Sequence, residues 1–241
     1  MRFVKGALAV TVVAMATSII ALADVGKCGQ ILQPIMDQIT GSHDPEKLVR
    51  TAELNKINAE ALTLPKLLPK SDEDHLDTSV LHGAMAYGIA NASPEKISDF
   101  FSDGEQFKKF FTNIETLSSS SVEEFSSNGT MKALVSLAIK MPALSGLDDL
   151  KVRIALEGSK VGNGYRLNWK QFDSDGDIEW TRGEIFIDPI SSNPSQSLVT
   201  IYAIHVLKAD RAIPFLLRGA AKRFVVTHYS NFVKGILEAF R

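Results

Sequence analysis

Between residue 81 and residue 208 the chain is built of runs of β-forming residues separated by turn dipeptides. Asn128-Gly129, Asn163-Gly164 and Asp175-Gly176 each favour the positive backbone angles of a tight hairpin turn. The pattern predicts a first strand over 81–90 and then six consecutive antiparallel strands. These six strands are expected at about 115–126, 130–140, 150–161, 165–172, 177–188 and 197–208.

Two short helices are predicted between the first strand and the second. Ser93 has the position of an N-cap, Pro94 follows at the first helical position, and Glu95 lies in the first turn. Each helix then carries apolar residues three or four positions apart. These residues are Ile97, Phe100 and Phe101 in the first helix and Phe107, Phe110 and Phe111 in the second.

The longest periodic stretch runs from about Asp210 to Arg241. Apolar side chains recur there three or four positions apart, which predicts one amphipathic helix of about eight turns. Because burial stabilises by roughly 1.5 to 3 kcal/mol for each large side chain, this helix is expected to be part of the core. Its stripe consists of Ile213, Leu217, Ala220, Phe224, His228, Phe232 and Ile236.

Residues 24–80 have a different character. The pattern predicts one helix with apolar residues from Ile31 to Ile39, which Pro34 shortens or kinks. It predicts a second helix that begins at Asp44 as N-cap and extends to Leu54. We therefore expect a helical extension and linker on the outside of a domain formed by 81–241, with no chemistry of its own.

The first 23 residues have the layout of a secretory signal peptide. Arg2 and Lys5 precede an uncharged run over 6–23 that ends in the triplet Ala21-Leu22-Ala23. The alternative is an uncleaved membrane anchor, since the run reaches the lower limit of a spanning helix. The triplet favours cleavage after Ala23, and hence a periplasmic or secreted protein.

Charge and cysteine content exclude several classes of function. Loss of 1–23 leaves 24 basic residues against 28 acidic ones, a net charge of about −4, which does not favour binding to nucleic acid. Cys28 is the only cysteine, so no internal disulfide can form and stability must come from the core. The motifs G-x-S-x-G, HExxH and CxxC and the P-loop motif are absent from the sequence. The acidic run from Asp173 to Glu179 is explained by its Asp-Gly hairpin better than by a calcium loop.

The predicted order of elements resembles the START-like superfamily, also called SRPBCC, which includes polyketide cyclase and dehydratase-like proteins. The likeness covers 80–241. It rests on Ala92-Ser93-Pro94-Glu95-Lys96-Ile97, on Phe100-Phe101-Ser102-Asp103, on the glycine-containing strand 183–189 and on the last strand over 198–202. The resemblance implies an α+β helix-grip fold, in which a curved antiparallel sheet of about seven strands wraps around the C-terminal helix and leaves an apolar cavity between them. Members of the family bind lipids, sterols, polyketides or plant hormones, and only some are enzymes.

The resemblance places the candidate ligand-binding residues on the inner side of the sheet and on the stripe of the helix. Ala220, a small residue on the stripe, is expected to let the cavity reach the helix backbone. His228 is either a core histidine with a hydrogen-bond partner or a donor to the head group of a ligand. The candidate residues are Trp169, Trp180, Arg182, Tyr202, Leu217, Ala220, Phe224 and His228.

The sequence leaves open whether four residues face the cavity, and the candidate Arg182 is one of them. A regular strand would place Arg182 and Glu184 inside the barrel, whereas a bulge at Gly183 would turn both charges outward, and the cost of a dry ion pair favours exposure. His205 is expected to be a packed or edge histidine. Tyr229 lies about 100° around the helix from His228, so the two side chains need not share a site.

We therefore expect an exported protein that holds an apolar small molecule or lipid for transport. The alternative is a cyclase or dehydratase-like enzyme that uses His228, with Arg182 and Glu184, on a hydrophobic substrate. Neither a cofactor, a metal ion nor nucleic acid is expected to take part. We expect a monomer whose contact with membranes is transient.

Overall fold

A computed structural model describes residues 27–64, 81–141, 148–173, 175–208 and 218–241. The predicted signal peptide, its cleavage site and Leu217 lie outside the described residues.

The described residues form one antiparallel sheet of eight strands in the order β1-β2-β8-β7-β6-β5-β4-β3. From β3 to β8, each strand pairs with the strand that follows it in the chain. Strand β8 also pairs with β2, which brings the two ends of the domain together. The strands are β1 (Ile57–Ala61), β2 (Leu81–Ala90), β3 (Leu117–Asn128), β4 (Thr130–Ile139), β5 (Leu150–Val161), β6 (Gly164–Gln171), β7 (Ile178–Ile190) and β8 (Asn193–Leu207).

Within the described ranges, five helices accompany the sheet. Both caps predicted from the sequence are present, since Asp44 accepts a hydrogen bond from the backbone N–H of Lys47 and Ser93 accepts one from that of Lys96. Asp103 caps the helix that follows it and accepts from Glu105 and Gln106. The helices are α1 (Lys27–Gly41), α2 (Pro45–Val49), α3 (Pro94–Ser102), α4 (Gly104–Thr112) and α5 (Arg218–Ala239). None of the helices within the described ranges is long and apolar enough to cross a lipid bilayer.

The prediction of seven strands and a C-terminal helix is confirmed, with strand ends that differ by a few residues. One difference is the last hairpin. Strand β7 continues to Ile190 and β8 already begins at Asn193, so the connection expected between residues 188 and 197 is a tight turn.

The prediction of a purely helical extension is wrong in one respect, because β1 pairs with β2 and adds an eighth strand at the edge of the sheet. The second helix of the extension is also shorter than expected: α2 ends at Val49, none of its residues is buried, and Leu54 forms a bridge with Ile89.

Helix α1 continues through Pro34 in spite of the hydrogen bond that proline cannot donate. Proline inside a helix costs about 3 kcal/mol, whereas each large apolar side chain that is buried returns roughly 1.5 to 3 kcal/mol. Four such side chains of α1 are buried, so packing outweighs the local cost. They are Leu32, Ile35, Met36 and Ile39.

Helices cover both faces of the sheet. Helix α5 packs against β1, β2 and β8, and we call this side the inner face. Helix α1 packs against β7 and β8 from the opposite side, the outer face. Strand β8 is therefore buried on both sides, and its run from Ser197 to Leu207 contains no exposed residue.

Candidate functional site

A cavity lies between the inner face of the sheet and α5. Its volume is about 50 Å³. Almost all of its wall is apolar, and the helices α4 and α5 close it on the side away from the sheet. The residues that line it are His82, Phe110, Phe111, Leu137, Ile139, Met141, Leu150, Val152, Ile154, Leu156, Leu167, Trp169, Ile178, Thr181, Ile185, His205, Leu207, Ala221, Phe224, Val225, His228, Tyr229 and Phe232.

Three of the predicted ligand-binding residues line this cavity, namely Trp169, Phe224 and His228. The indole of Trp169 lies directly against the backbone of Gly183, its partner on the neighbouring strand. A side chain at position 183 would collide with that ring, so glycine is required there to let the tryptophan lie flat on the sheet. This close approach, and not a bulge, accounts for Gly183.

The prediction that Ala220 faces the cavity is wrong by one residue. Ala220 is exposed, whereas Ala221 is buried and lines the cavity. The buried face of α5 is wider than one stripe of residues three or four apart, and it is centred on the row that runs through Ala221, Val225 and Tyr229. Phe224 lies at the border of this face and is half-buried.

Trp180, Arg182 and Tyr202 do not line the cavity, so their predicted place in it is wrong. They alternate along their strands with Thr181, Ile185 and His205, which face inward. For Trp180 and Arg182 the reason is a register shift between Ile178 and Trp180, because it lets both Ile178 and Thr181 face the cavity. All later residues of β7 are thereby moved to the opposite face from the one that regular alternation gives.

Arg182 and Glu184 therefore belong to the outer face, as the exposed alternative predicted. Arg182 donates to the side chain of Gln33 on α1 and lies 3.9 Å from a carboxylate oxygen of Asp37. Burial raises the pKa of Glu184, while the charge of Arg182 acts in the opposite direction. The residues that a cyclase-like mechanism would combine, His228 with Arg182 and Glu184, thus lie on two different faces of the sheet.

The outer face holds a second group of polar residues, which we call the outer cluster: His43, Arg166, Asp188 and Tyr202. Asp188 lies 2.8 Å from Nε2 of His43 and 3.0 Å from the guanidinium of Arg166. Nδ1 of His43 lies 3.2 Å from the Tyr202 hydroxyl. Burial and, to a smaller extent, the negative charge of Asp188 raise the pKa of Tyr202 to about 12. Every one of these side chains has a partner inside the cluster, which ties the segment after α1 to the sheet.

The inner face holds a different set of polar residues, which we call the polar cluster: His82, His205, His228 and Tyr229. The ring centroids of His82 and His205 are 5.7 Å apart, those of His205 and Tyr229 are 6.3 Å apart, and those of Tyr229 and His228 are 5.1 Å apart. Together they form a polar side of an otherwise apolar cavity.

Burial controls the protonation of the polar cluster. It lowers the pKa of His228 to about 4, and it lowers the pKa of His205 well below the ordinary value, with His82 and His228 acting in the same direction. Burial raises the pKa of the Tyr229 hydroxyl. His228 also has a hydrogen-bond partner, since its Nδ1 lies 2.7 Å from the hydroxyl of Thr116. His228 therefore has the hydrogen-bond partner that the alternative of a core histidine requires.

Sequence reasoning missed His82, His205 and Tyr229 as cavity residues. His205 and His82 lie opposite each other in the register of β8 and β2. Their shared face follows from that pairing, which joins strands 123 residues apart and is not visible in local patterns. Tyr229 was set aside because of its angle from His228, but the width of the buried helix face includes both residues.

No group of three or more His, Cys, Asp or Glu side chains within the described ranges is arranged to hold a metal ion. The described residues that line the cavity also include no Asp, Glu, Lys or Arg. The arrangement can therefore bury an apolar molecule and form hydrogen bonds to it through neutral groups.

Solved structures of low sequence identity share this architecture. The STAR-related lipid transfer protein of Xanthomonas axonopodis aligns with a TM-score of 0.53 and 13% identity over 77% of this chain and 93% of its own. The lipid transfer and protein localization domain of human StarD13 gives 0.52 and 12% over 77% of this chain and 85% of its own. The aromatase/cyclase Zhui of a Streptomyces species gives 0.50 and 9% over 66% and 93%. No family model matches the sequence, and no curated protein matches it significantly.

Likenesses at such low identity establish the fold. The chain has the START-like helix-grip fold, and the resemblance and the fold class predicted from the sequence are confirmed. This is a fold that encloses a hydrophobic cavity, and this chain forms one.

Proposed function

We propose that this protein binds an apolar small molecule, a lipid, in the cavity between the sheet and α5 and carries it without transforming it. The observation that supports this most directly is the composition of the cavity wall, which is apolar apart from a few neutral polar groups. The lipid-transfer proteins among the structural neighbours agree with this proposal.

Apolar burial alone supplies enough binding free energy. A chain of about sixteen methylenes gains about 13 kcal/mol at roughly 0.8 kcal/mol for each buried CH₂ group. Part of this gain is offset by the loss of translational and conformational freedom. Micromolar binding is therefore within reach without any charged contact.

The unliganded cavity is narrow for such a molecule. Pockets that hold drug-sized ligands measure about 300 to 1,000 Å³, several times more than the space present here. Side chains must move when the ligand enters. Phe224 is the best placed to move, because it is half-buried and its ring stacks on His228 with a centroid distance of 6.3 Å. Its rotation enlarges the cavity without breaking a hydrogen bond of the sheet.

Ala221→Trp tests the location of the binding site. The indole would occupy the cavity, and we expect the variant to remain folded by circular dichroism but to bind the neutral dye N-phenyl-1-naphthylamine at least tenfold more weakly. The matched control is Ala220→Trp, which adds the same side chain to the exposed neighbour. This control should bind the dye like the wild type.

Equal dye binding in the folded Ala221→Trp variant and in the control would refute the proposed site. Mass spectrometry of an organic extract of the purified wild type gives an independent readout, because a carrier should be purified with its ligand. The extract of Ala221→Trp should contain less of that molecule. An extract without any apolar molecule, together with a lack of dye binding by the wild type, would overturn the function itself.

We further propose that the protein acts as a monomer after export, with cleavage following Ala23, and meets membranes only transiently. The support for export is the layout of residues 1–23. N-terminal sequencing of the native protein should begin at Asp24, and the protein should be found in the soluble fraction. A native protein that retains Met1 and sediments with membranes would show that the segment is an anchor.

A further inference from the structure

The four residues of the polar cluster come from three elements that meet at the cavity. His82 on β2 and His205 on β8 are directly opposite each other in the sheet. Tyr229 and His228 reach the same cavity from α5. Because consecutive members of the cluster lie within 6.3 Å between ring centroids, a single small group of a ligand can approach several of them.

This cluster carries no opposing charge. No Asp, Glu, Lys or Arg is present among the described residues of the cavity wall, and burial keeps the imidazoles of His205 and His228 uncharged at neutral pH. An ionised ligand group would lose its hydration there and would find no counter-ion. Such burial of an unpaired charge is strongly unfavourable.

The cluster does have hydrogen-bonding capacity that the protein leaves unused. The side chain of Tyr229 is buried, with 5% of the residue exposed, and it lines the cavity beside the rings of His205 and His228. Thr116 occupies only Nδ1 of His228 and leaves Nε2 for another partner. Buried polar groups are nearly always hydrogen-bonded, so a ligand oxygen at this position would satisfy groups that are otherwise unmatched.

We propose that the cavity selects an electrically neutral ligand with a hydroxyl or carbonyl oxygen, which forms hydrogen bonds with the polar cluster while the apolar wall holds the rest of the molecule. This inference rests on the proposed function. It favours neutral alcohols, ketones, aldehydes or esters as ligands. It argues against fatty acids and phospholipids, because their charged group would have to be buried.

The experiment is displacement of N-phenyl-1-naphthylamine at pH 7.5 by three probes of nearly equal size: 1-decanol, decanoate and undecane. In the wild type we expect decanoate to bind at least tenfold more weakly than 1-decanol, because only its ionised group must be buried without a partner. This comparison needs no variant, so it does not depend on how a substitution affects folding.

Tyr229→Phe then tests the cluster directly by removing one hydroxyl. We expect it to weaken the binding of 1-decanol by about three- to tenfold, the effect of one net hydrogen bond, and that of undecane by less than twofold. The matched control is Tyr165→Phe, which removes the hydroxyl of a buried tyrosine that does not line the cavity. It should leave the binding of both probes unchanged.

The outcomes separate this inference from the function on which it rests. If decanoate binds as tightly as 1-decanol, or if Tyr229→Phe weakens 1-decanol and undecane equally or not at all, the neutral polar site is refuted while the apolar cavity stands. If neither undecane nor 1-decanol displaces the dye from the wild type, the proposed function itself is refuted.

Discussion

The two faces of strands β7 and β8 hold two clusters built around histidine, and the clusters differ in what surrounds the imidazole. On the outer face, His43 lies against the carboxylate of Asp188, which also pairs with Arg166. On the inner face, His205 lies among other neutral rings and lines a cavity. The same residue type therefore serves as part of a charged network on one side of the sheet and as a neutral group on the other.

The difference between the clusters shows which of them is suited to bind a ligand. In the outer cluster both ring nitrogens of His43 and both carboxylate oxygens of Asp188 have partners within the protein. The polar cluster lines the cavity, and Thr116 contacts only one of the two ring nitrogens of His228. We infer that the outer cluster holds the extension on the domain, whereas the polar cluster is available to a ligand.

Among the substitutions that test this comparison, Asp188→Asn is expected to have the largest effect on the free energy of unfolding. The variant keeps the size of the side chain but leaves the charge of Arg166 without its carboxylate on a largely buried face. Removal of one partner from a buried ion pair typically costs about 3 to 5 kcal/mol. Urea denaturation at pH 7.5 should show a loss of this order, while dye binding by the folded fraction should not change. A loss below about 1 kcal/mol would mean that the outer cluster does not hold the extension.

Most of the fold was predictable because its signals are local. The turn dipeptides marked the positions of the hairpins, and the cap at Ser93 marked the start of α3, each within a few residues in sequence. The positive backbone angles expected at all three dipeptides occur only at Gly129, and the second hairpin has its positive angle at Gly162 instead of Gly164. Strand β1 was not predictable in this way, since its five residues have a weak pattern and are held by pairing with β2. Its formation depends on contacts between distant parts of the chain.

The candidate site was predictable only in part, because a single register shift reverses the faces of a strand. Trp169, Phe224 and His228 were placed correctly. The shift after Ile178 moved Trp180 and Arg182 to the outer face, and local patterns contain no signal for it. The outer cluster was missed for a related reason, since His43 and Asp188 are 145 residues apart in the sequence.

A smaller effect on stability is expected from a change of pH. It tests whether the histidines on the inner face are neutral. Burial lowers the pKa of His228 to about 4 in the folded state, while in the unfolded state it is near 6.5. Between these values the unfolded state binds the proton and the folded state does not. Stability is thus fully present above about pH 6.5 and is lost as the pH falls towards 4, by about 3 kcal/mol for this group.

His228→Leu should remove this contribution, so that its free energy of unfolding falls less steeply than that of the wild type between pH 6.5 and 4. The matched control is Thr116→Val, which removes the hydrogen bond to His228 but keeps the group that titrates. The control should have lower stability at every pH with the slope of the wild type. Parallel curves for His228→Leu and the wild type, measured by urea denaturation, would show that His228 is not held neutral by burial.

The smallest effect is expected for Arg182, which the structure places on the outer face. It contacts Gln33 and Asp37 of α1 on the outer face, and 36% of its side chain is exposed. Exposed ion pairs contribute about 0 to 1 kcal/mol, so Arg182→Met should lower the free energy of unfolding by no more than that. Because the sheet separates this side chain from the cavity, the affinities for N-phenyl-1-naphthylamine and 1-decanol should stay within twofold of the wild-type values. A larger loss of affinity at unchanged stability would place Arg182 in the ligand site after all, and the division of roles between the two faces would then fail.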